Sequence, residues 1–341
     1  MRKINVLSLF DGISCGQLAL QRANILVHKY FASEIDKYAI KVTQYHFPNT
    51  IQLYDITKIN VSNLPKIDLL IGGSPCQGFS FAGKQLNFND PRSKLFFEYV
   101  RIKNELEKRN PKLLFILENV IMKRKSKETI SKFLDILPIE INSNLVSAQN
   151  RRRLYWTNIK YKTNSFSRWS SIKNKQRISS IDQPQNKKIF LKDILENDQD
   201  NIKKEIYPDW KLKKLKNHEY KYKSTYKILN KNQSKCNTLV SNPGSVKQKI
   251  NIQEKFTTLT AQSGINDTTK NFCSIIDKDK IRYLTLKEWE RLQTLPEDYT
   301  IMIPKGKRYN CIGNGWTIDV ISHIFSYLKD HPNIVNSILR K

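Results

Sequence analysis

Four short apolar runs alternate with amphipathic segments across the first 165 residues, and that alternation constrains the fold more than any other feature. INVLSLF (4–10), VHKYFASE (27–34), KIDLLIGG (66–73) and KLLFILENV (112–120) read as buried strands. QLALQRA (17–23), DKYAIKVTQYHF (36–47) and RSKLFFEYVRIKNELEKR (92–109) read as the helices between them. Strands joined through helices pair in parallel, with helices covering both faces of the sheet. The expected class is therefore α/β. Ligands of such sheets bind beyond the carboxyl ends of the strands. Gly12, Glu34, Asp55, Pro75–Cys76 and Glu118–Asn119 all fall at or near those ends.

The character changes at about residue 166. Up to about 255 the chain is polar and rich in Lys and Asn, with scattered Tyr and Trp and neither a long periodic pattern nor a repeat. This stretch reads either as a second domain or as a surface-reading module. Regular pattern returns in FTTLTAQSG (256–264) and RYLTLKEWERLQTLPEDY (282–299), and GNGWTIDVISHIFSYL (313–328) reads as a glycine turn opening a helix.

Charge narrows the partner. With 59 Lys and Arg against 31 Asp and Glu, the net charge of +28 points to a polyanion, most simply nucleic acid. Richness in Lys, Asn and Ile also matches A/T-biased codon usage, so part of the lysine excess reads as solvated surface. The cysteines Cys15, Cys76, Cys236, Cys273 and Cys311 are odd in number and form no C-x-x-C pair. That argues against a zinc site or a disulfide framework and fits a reducing cytosol. MRKINVLSLFDG is cut short by Asp11 and Gly12 and reads as a strand rather than a signal peptide. No stretch approaches the roughly 18 apolar residues of a membrane span.

Several short motifs carry chemistry. LFDGISCG (9–16) follows a strand and precedes a helix, with Glu34 ending the next strand. This layout suits a nucleotide-like cofactor, because glycine lets the backbone approach the ligand and a carboxylate accepts from ribose hydroxyls. It also suits a plain tight turn, and the absence of G-x-G-x-x-G does not indicate a dinucleotide. SPCQ presents Cys76 at the rim of the sheet, either as a packed thiol or as a nucleophile whose thiolate is stabilised nearby. The polar loop after it carries Lys84 and Arg92, suited to phosphates and to closing over a substrate. Glu118 in ENV needs a partner, because burying a carboxylate unpaired is costly. Bonded to a base edge, it would engage a ring nitrogen and an exocyclic amine. QNRRRLYW (149–156) reads as a strand with Arg151 and Arg153 on one face, or as a solvated charge cluster.

FDGISCG, SPCQGFS, ENV, QNRRR, RYLTLKEWERLQTLPEDY and GNGWTIDV, in that order between residues 4 and 325, resemble the motifs of the C5-cytosine-specific DNA methyltransferases, of the bacterial or phage type found in restriction–modification systems. The resemblance implies a Rossmann-like S-adenosyl-L-methionine-dependent domain over 1–165 plus 309–341, and a smaller target-recognition domain over 166–308. It implies S-adenosyl-L-methionine lined by Phe10, Asp11 and Gly12. Glu34 would bind the ribose, Asp55 the adenine amine, Leu95 and Asn314 would close the pocket, and Ile35, Ile56 and Trp316 would also contact the cofactor. Cys76, oriented by Pro75, would attack C6 of a flipped cytosine. Glu118 would engage N3 and N4, Arg153 would hold O2, and Arg151 would support Glu118. Ser80, Lys84 and Arg92 would contact phosphates. Segments 240–248 and 258–264 would read bases, with Gln262 among the contacts and Thr258 bracing a phosphate.

The resemblance further implies a monomer acting on double-stranded DNA in the cytoplasm of a bacterial or phage-infected cell, functionally paired with a restriction endonuclease. No metal is implied. The family usually carries more glycine where GISC stands and a serine where Gly315–Trp316 follow Asn314; both variants resemble the branch containing the animal de novo enzymes. Three alternatives remain: a transfer-RNA cytosine methyltransferase, a non-catalytic DNA-binding relative, and a nicotinamide-dependent oxidoreductase. The characteristic Cys-Phe-Thr of the first is absent, and Cys76 and Glu118, one or other of which the second would be expected to have lost, are both present.

Overall fold

The computed structural model describes residues 2–74, 91–165, 175–206, 229–230, 256–257, 274–277 and 280–334. The chain divides into two compact units. The first comprises Met1–Asn142, Arg152–Pro184 and Ile318–Lys341, and the second Ser143–Arg151 and Gln185–Thr317.

The first unit is built on strands β1 (Ile4–Leu9), β2 (Val27–Ser33), β3 (Ile51–Gln52), β4 (Leu69–Gly73), β5 (Leu114–Val120) and β6 (Ile139–Asn142). After β7 (Gln149–Asn150) of the second unit, β8 (Arg152–Thr157) completes its sheet, whose order among the described residues is β3-β2-β1-β4-β5-β8-β6. The pairs among β1 to β5 are parallel, whereas β8 runs antiparallel to both β5 and β6. Strand order therefore reverses between β1 and β4. A crevice outside the carboxyl ends at such a reversal is where doubly wound sheets bind ligands.

Helices α1 (Cys15–Arg22), α2 (Lys37–His46), α3 (Pro91–Arg109) and α4 (Arg124–Leu134) make the crossovers. Asp36 starts α2 by accepting from the Tyr38 N–H at 2.8 Å. Strand β1 is buried on both faces, as parallel strands are: Leu7 and Leu9 join Phe96, Tyr99 and Leu117 in one cluster, while Val6 and Ser8 point the other way. Each such leucine contributes roughly 1.5–3 kcal/mol by burial. A Cβ on Gly72 would lie 3.0 Å from both the Leu9 carbonyl oxygen and the Tyr99 ring. Only glycine lets β4 sit that close to β1 and α3.

A hairpin of β9 (Tyr161–Ser165) and β10 (Lys175–Ser179) also belongs to the first unit. The second unit contains α5 (Gln199–Lys203), β11 (Leu229–Asn230), β12 (Phe256–Thr257), β13 (Ser274–Asp277), β14 (Lys280–Tyr283), α6 (Leu286–Leu292) and α7 (Lys305–Asn314). The last helix, α8 (Ile318–Ser326), returns to the first unit, where Asp319 pairs with Arg22 of α1 at 2.7 Å. In the second unit Thr285 and Glu288 form a reciprocal cap at the start of α6. The same Glu288 carboxylate receives Arg282 at 2.8 Å, with both side chains at most 1% exposed. Among the described residues no helix is long and apolar enough to cross a membrane, and no cluster of His, Cys, Asp and Glu could hold a metal ion.

One expected element is corrected. Residues 149–156 are not a single strand. Gln149–Asn150 pair with Phe256–Thr257, Arg152–Thr157 pair with β5 and β6, and the chain breaks at Arg151. Arg151 and Arg153 therefore do not share one face of one strand. The alternation of residue types was compatible with one strand, but the pairing partners lie in different units.

Candidate active site and cofactor edge

The loop leaving β1 turns sharply. Phe10, Gly12 and Ser14 all have φ near +58°. For a bulky Phe this left-handed conformation costs about 1–2 kcal/mol. Asp11 fixes the loop: its N–H donates to the Ser33 carbonyl at 3.1 Å, and its carboxylate accepts from Ser14 Oγ and Tyr30 Oη, both at 2.8 Å. Burial pushes the Asp11 carboxyl up to about 6; hydrogen bonds from Ser8, Ser14 and Tyr30 oppose the rise, and the Glu34 charge adds to it.

Glu34 is held by three backbone N–H groups. Its Oε2 accepts from Gly12 at 2.8 Å, and its Oε1 from Ile35 at 2.7 Å and Asp36 at 2.8 Å. Beside it, Ile35 stands 77% exposed, which is unusual for an apolar side chain. Asp55 accepts from the Thr57 N–H at 2.9 Å and from Thr57 Oγ1 at 2.8 Å, and the backbone bond leads in holding its carboxyl below the usual range. Ile56 is in the core, and Leu95 packs partly buried against it.

Glu118 lies on β5 with Arg153 diagonally across on β8, and Arg153 Nε sits 2.9 Å from Glu118 Oε1, both side chains 11% exposed. Gly73 is the register partner of Glu118 on β4. The next residue on each strand makes a second tie: Asn119 Nδ2 donates to the carbonyl of Ser74 at 3.2 Å and to its hydroxyl at 3.1 Å. Pro75, Cys76, Ser80, Lys84, Thr258 and Gln262 lie outside the described residues, as does the side chain of Arg92 in α3.

In the second unit Asn314 ends α7 and is exposed, while Trp316 is half-buried. Arg151, 4% exposed, donates to the carbonyls of Gly313 at 3.4 Å and Gly315 at 3.0 Å.

A family model described as C-5 cytosine-specific DNA methylase matches residues 4–330. The chain belongs to this family. It is 30% identical over 337 residues to the type II methyltransferase M1.ScrFI of Lactococcus lactis subsp. cremoris, covering 94% of this chain and 77% of that one. It is 34% identical over 203 residues to the orphan methyltransferase M.SPRI of Bacillus phage SPR, covering 53% of this chain and 45% of that one. Among solved structures, the methyltransferase EhMeth of Entamoeba histolytica superposes with a TM-score of 0.65 at 18% identity, over 97% of this chain and 99% of that one, a likeness of fold. The protein is thus a DNA cytosine methyltransferase with a Rossmann-like sheet.

Within this C-5 cytosine methylase, three residues without an expected role make buried hydrogen bonds inside their own units. Asn119 ties ENV to the strand end before Pro75, Tyr30 braces Asp11, and Gln293 sits at the centre of a buried polar network in the second unit. Asn119 lies in ENV and Gln293 in RYLTLKEWERLQTLPEDY. A polar amide in an otherwise apolar setting was the available signal, since such a group is buried only with its hydrogen bonds made.

Proposed function

We propose that the protein methylates C5 of a cytosine turned out of double-stranded DNA, with Cys76 as the transient nucleophile. The observation that supports this best is the Glu118–Arg153 pair on β5 and β8, beside a strand end that Asn119 fastens one residue before Pro75–Cys76. A base in a stacked duplex does not expose C6 to a thiolate, so the nucleotide has to be extruded. The Cys76 thiolate adds to C6, and the electrons of the C5–C6 double bond make C5 nucleophilic. Glu118 engages N3 and the N4 amine and Arg153 holds O2, both favouring the charge that builds up on the ring. Once C5 carries the methyl group, a base takes the C5 proton. The C–S bond to Cys76 then breaks and the double bond re-forms.

S-adenosyl-L-methionine supplies the electrophilic methyl group when bound. The residues present fit it. Among the described residues, a Cβ at Gly12 would meet nothing within 4 Å, which leaves that turn room for a ligand. Glu34 is oriented by three N–H groups, and an exposed apolar Ile35 lies beside it. Glu34 would take the ribose hydroxyls and Asp55 the adenine amine. Phe10, Asp11, Ile35, Ile56, Leu95, Asn314 and Trp316 are assigned to the cofactor by motif match. Ser80, Lys84, Arg92, Thr258 and Gln262 are assigned to DNA on the same basis, with target recognition placed in 166–308.

The relatives include one named type II and one named orphan methyltransferase. We place this chain with the former, paired with a restriction endonuclease, because that relative is matched over 94% of this chain. It would act as a monomer on DNA in the cytoplasm of a bacterial or phage-infected cell. Incubation with labelled S-adenosylmethionine and unmethylated duplex DNA tests the assignment. Label at cytosine C5 of the duplex is expected, and label in transfer RNA with none in any duplex would overturn it.

A further inference from the structure

We propose that Gln293 is a positioning residue for the cofactor: it sets the turn that presents Asn314 and Trp316, without touching the ligand itself. The proposal rests on the assignment of those two residues to S-adenosylmethionine.

Gln293 follows α6 and is fully buried. All the hydrogen-bonding directions of its carboxamide lead to the turn or to its support. Nε2 donates to the Ile312 carbonyl at 3.0 Å and the Gly315 carbonyl at 3.3 Å. Oε1 accepts from Thr317 Oγ1 at 2.9 Å and from Gln149 Nε2 at 3.2 Å. Gln293 thus bonds positions on both sides of Asn314 and Trp316. Arg151 reinforces the same segment through the carbonyls of Gly313 and Gly315. Behind them, Gln149 Nε2 and Ser147 Oγ donate to the Leu292 carbonyl at 3.1 and 2.6 Å, and Ser143 Oγ donates to Thr317 Oγ1 at 2.8 Å.

A buried, fully bonded network of this kind specifies one geometry, because each group is costly to leave unpaired. The exposure pattern separates the roles. Gln293 is sealed at 0%, whereas the turn it bonds projects an exposed Asn314 and a half-buried Trp316. Residues that present a ligand-binding turn have to be held to within about half an ångström, which a second layer of packed hydrogen bonds achieves. The quoted motif RYLTLKEWERLQTLPEDY thereby has a task in cofactor binding as well as in building α6.

The test is the pair Gln293→Met and Gln293→Glu, with S-adenosylhomocysteine and a duplex oligonucleotide as probes. Calorimetry gives the affinity for each probe, and thermal unfolding reports folding. For Gln293→Met we expect affinity for S-adenosylhomocysteine about tenfold weaker, the loss of one or two net hydrogen bonds, with duplex affinity within about twofold. The Michaelis constant for S-adenosylmethionine should rise while turnover at saturating cofactor is largely kept. Gln293→Glu keeps the shape and keeps the partner of Thr317. At pH 8 it turns a carboxylate toward the Ile312 and Gly315 carbonyls, and at pH 6 the protonated acid can donate to one of them. Its cofactor affinity, relative to wild type, should therefore recover as pH falls from 8 to 6. Folded variants with wild-type affinity at both pH values would overturn the proposal. A wild-type protein that binds no S-adenosylhomocysteine would instead remove the cofactor assignment, and this inference with it.

Discussion

Asn119 Nδ2 reaches both the carbonyl and the hydroxyl of Ser74, at 3.2 and 3.1 Å, from a strand that is the direct neighbour of β4. Both residues are buried, at 2% and 5% exposure. The end of β4 is therefore fixed two residues before Cys76. Asn119→Asp removes the donor and sets a carboxylate against the Ser74 carbonyl. Steady-state kinetics should show turnover at least tenfold lower with the Kd for cofactor unchanged. Denaturant unfolding should show a loss of about 1–3 kcal/mol, the cost of an unsatisfied buried group.

The Glu118–Arg153 pair predicts different outcomes for its two partners. Glu118→Gln keeps the shape and removes the charge, so turnover should fall by about 10² or more while duplex affinity stays largely intact. Arg153→Met removes this ion pair from a Glu118 carboxylate that is 11% exposed. That should destabilise the fold by about 3 kcal/mol, and unfolding of the two variants compared side by side checks it. If Arg153→Met unfolds no more easily than Glu118→Gln, the pair does not stabilise the sheet edge.

Asp11 gives a pH prediction. Its carboxyl is raised from 3.8 to about 6, chiefly by burial. A carboxyl raised in the fold contributes stability that is fully present below about pH 4 and lost as pH rises through 6. The loss is on the order of 3 kcal/mol for a shift of this size. Asp11→Asn has no proton to lose. Urea unfolding should show it gaining stability relative to wild type between pH 5 and pH 8, and a constant difference across that range would contradict the account.

Gly72→Ala would place a Cβ 3.0 Å from the Leu9 carbonyl oxygen and the Tyr99 ring. Tyr99 cannot yield easily, since its hydroxyl donates to the Ile116 carbonyl at 3.0 Å within the core. A loss of about 1–3 kcal/mol in thermal or urea unfolding is expected, the usual cost of overpacking.

The sheet was legible because parallel strands buried on both faces are nearly continuous apolar runs, as in INVLSLF and LLFILENV. Positions at the strand ends were legible for the same reason: once the runs were placed, Glu34 and Glu118 had to stand at the carboxyl edge. The break at Arg151 was not, because QNRRRLYW keeps a strand-like alternation through a residue whose neighbours pair in different units. The role of Asn119 depends on a contact 45 residues away, and that of Gln293 on contacts 19 to 144 residues away, and local pattern carries no information on such partners. The left-handed Phe10 was also hidden, since a bulky residue is the least expected occupant of that conformation.

The central claim is that Cys76 bonds transiently to C6 of a flipped cytosine. Duplex DNA carrying 5-fluorocytosine at the target position tests it most directly, because C5 then has no proton to lose and the covalent complex cannot resolve. With S-adenosylmethionine present, wild-type protein should form a complex that survives denaturing gel electrophoresis, and Cys76→Ser should form none. A complex that persists in Cys76→Ser would contradict the account.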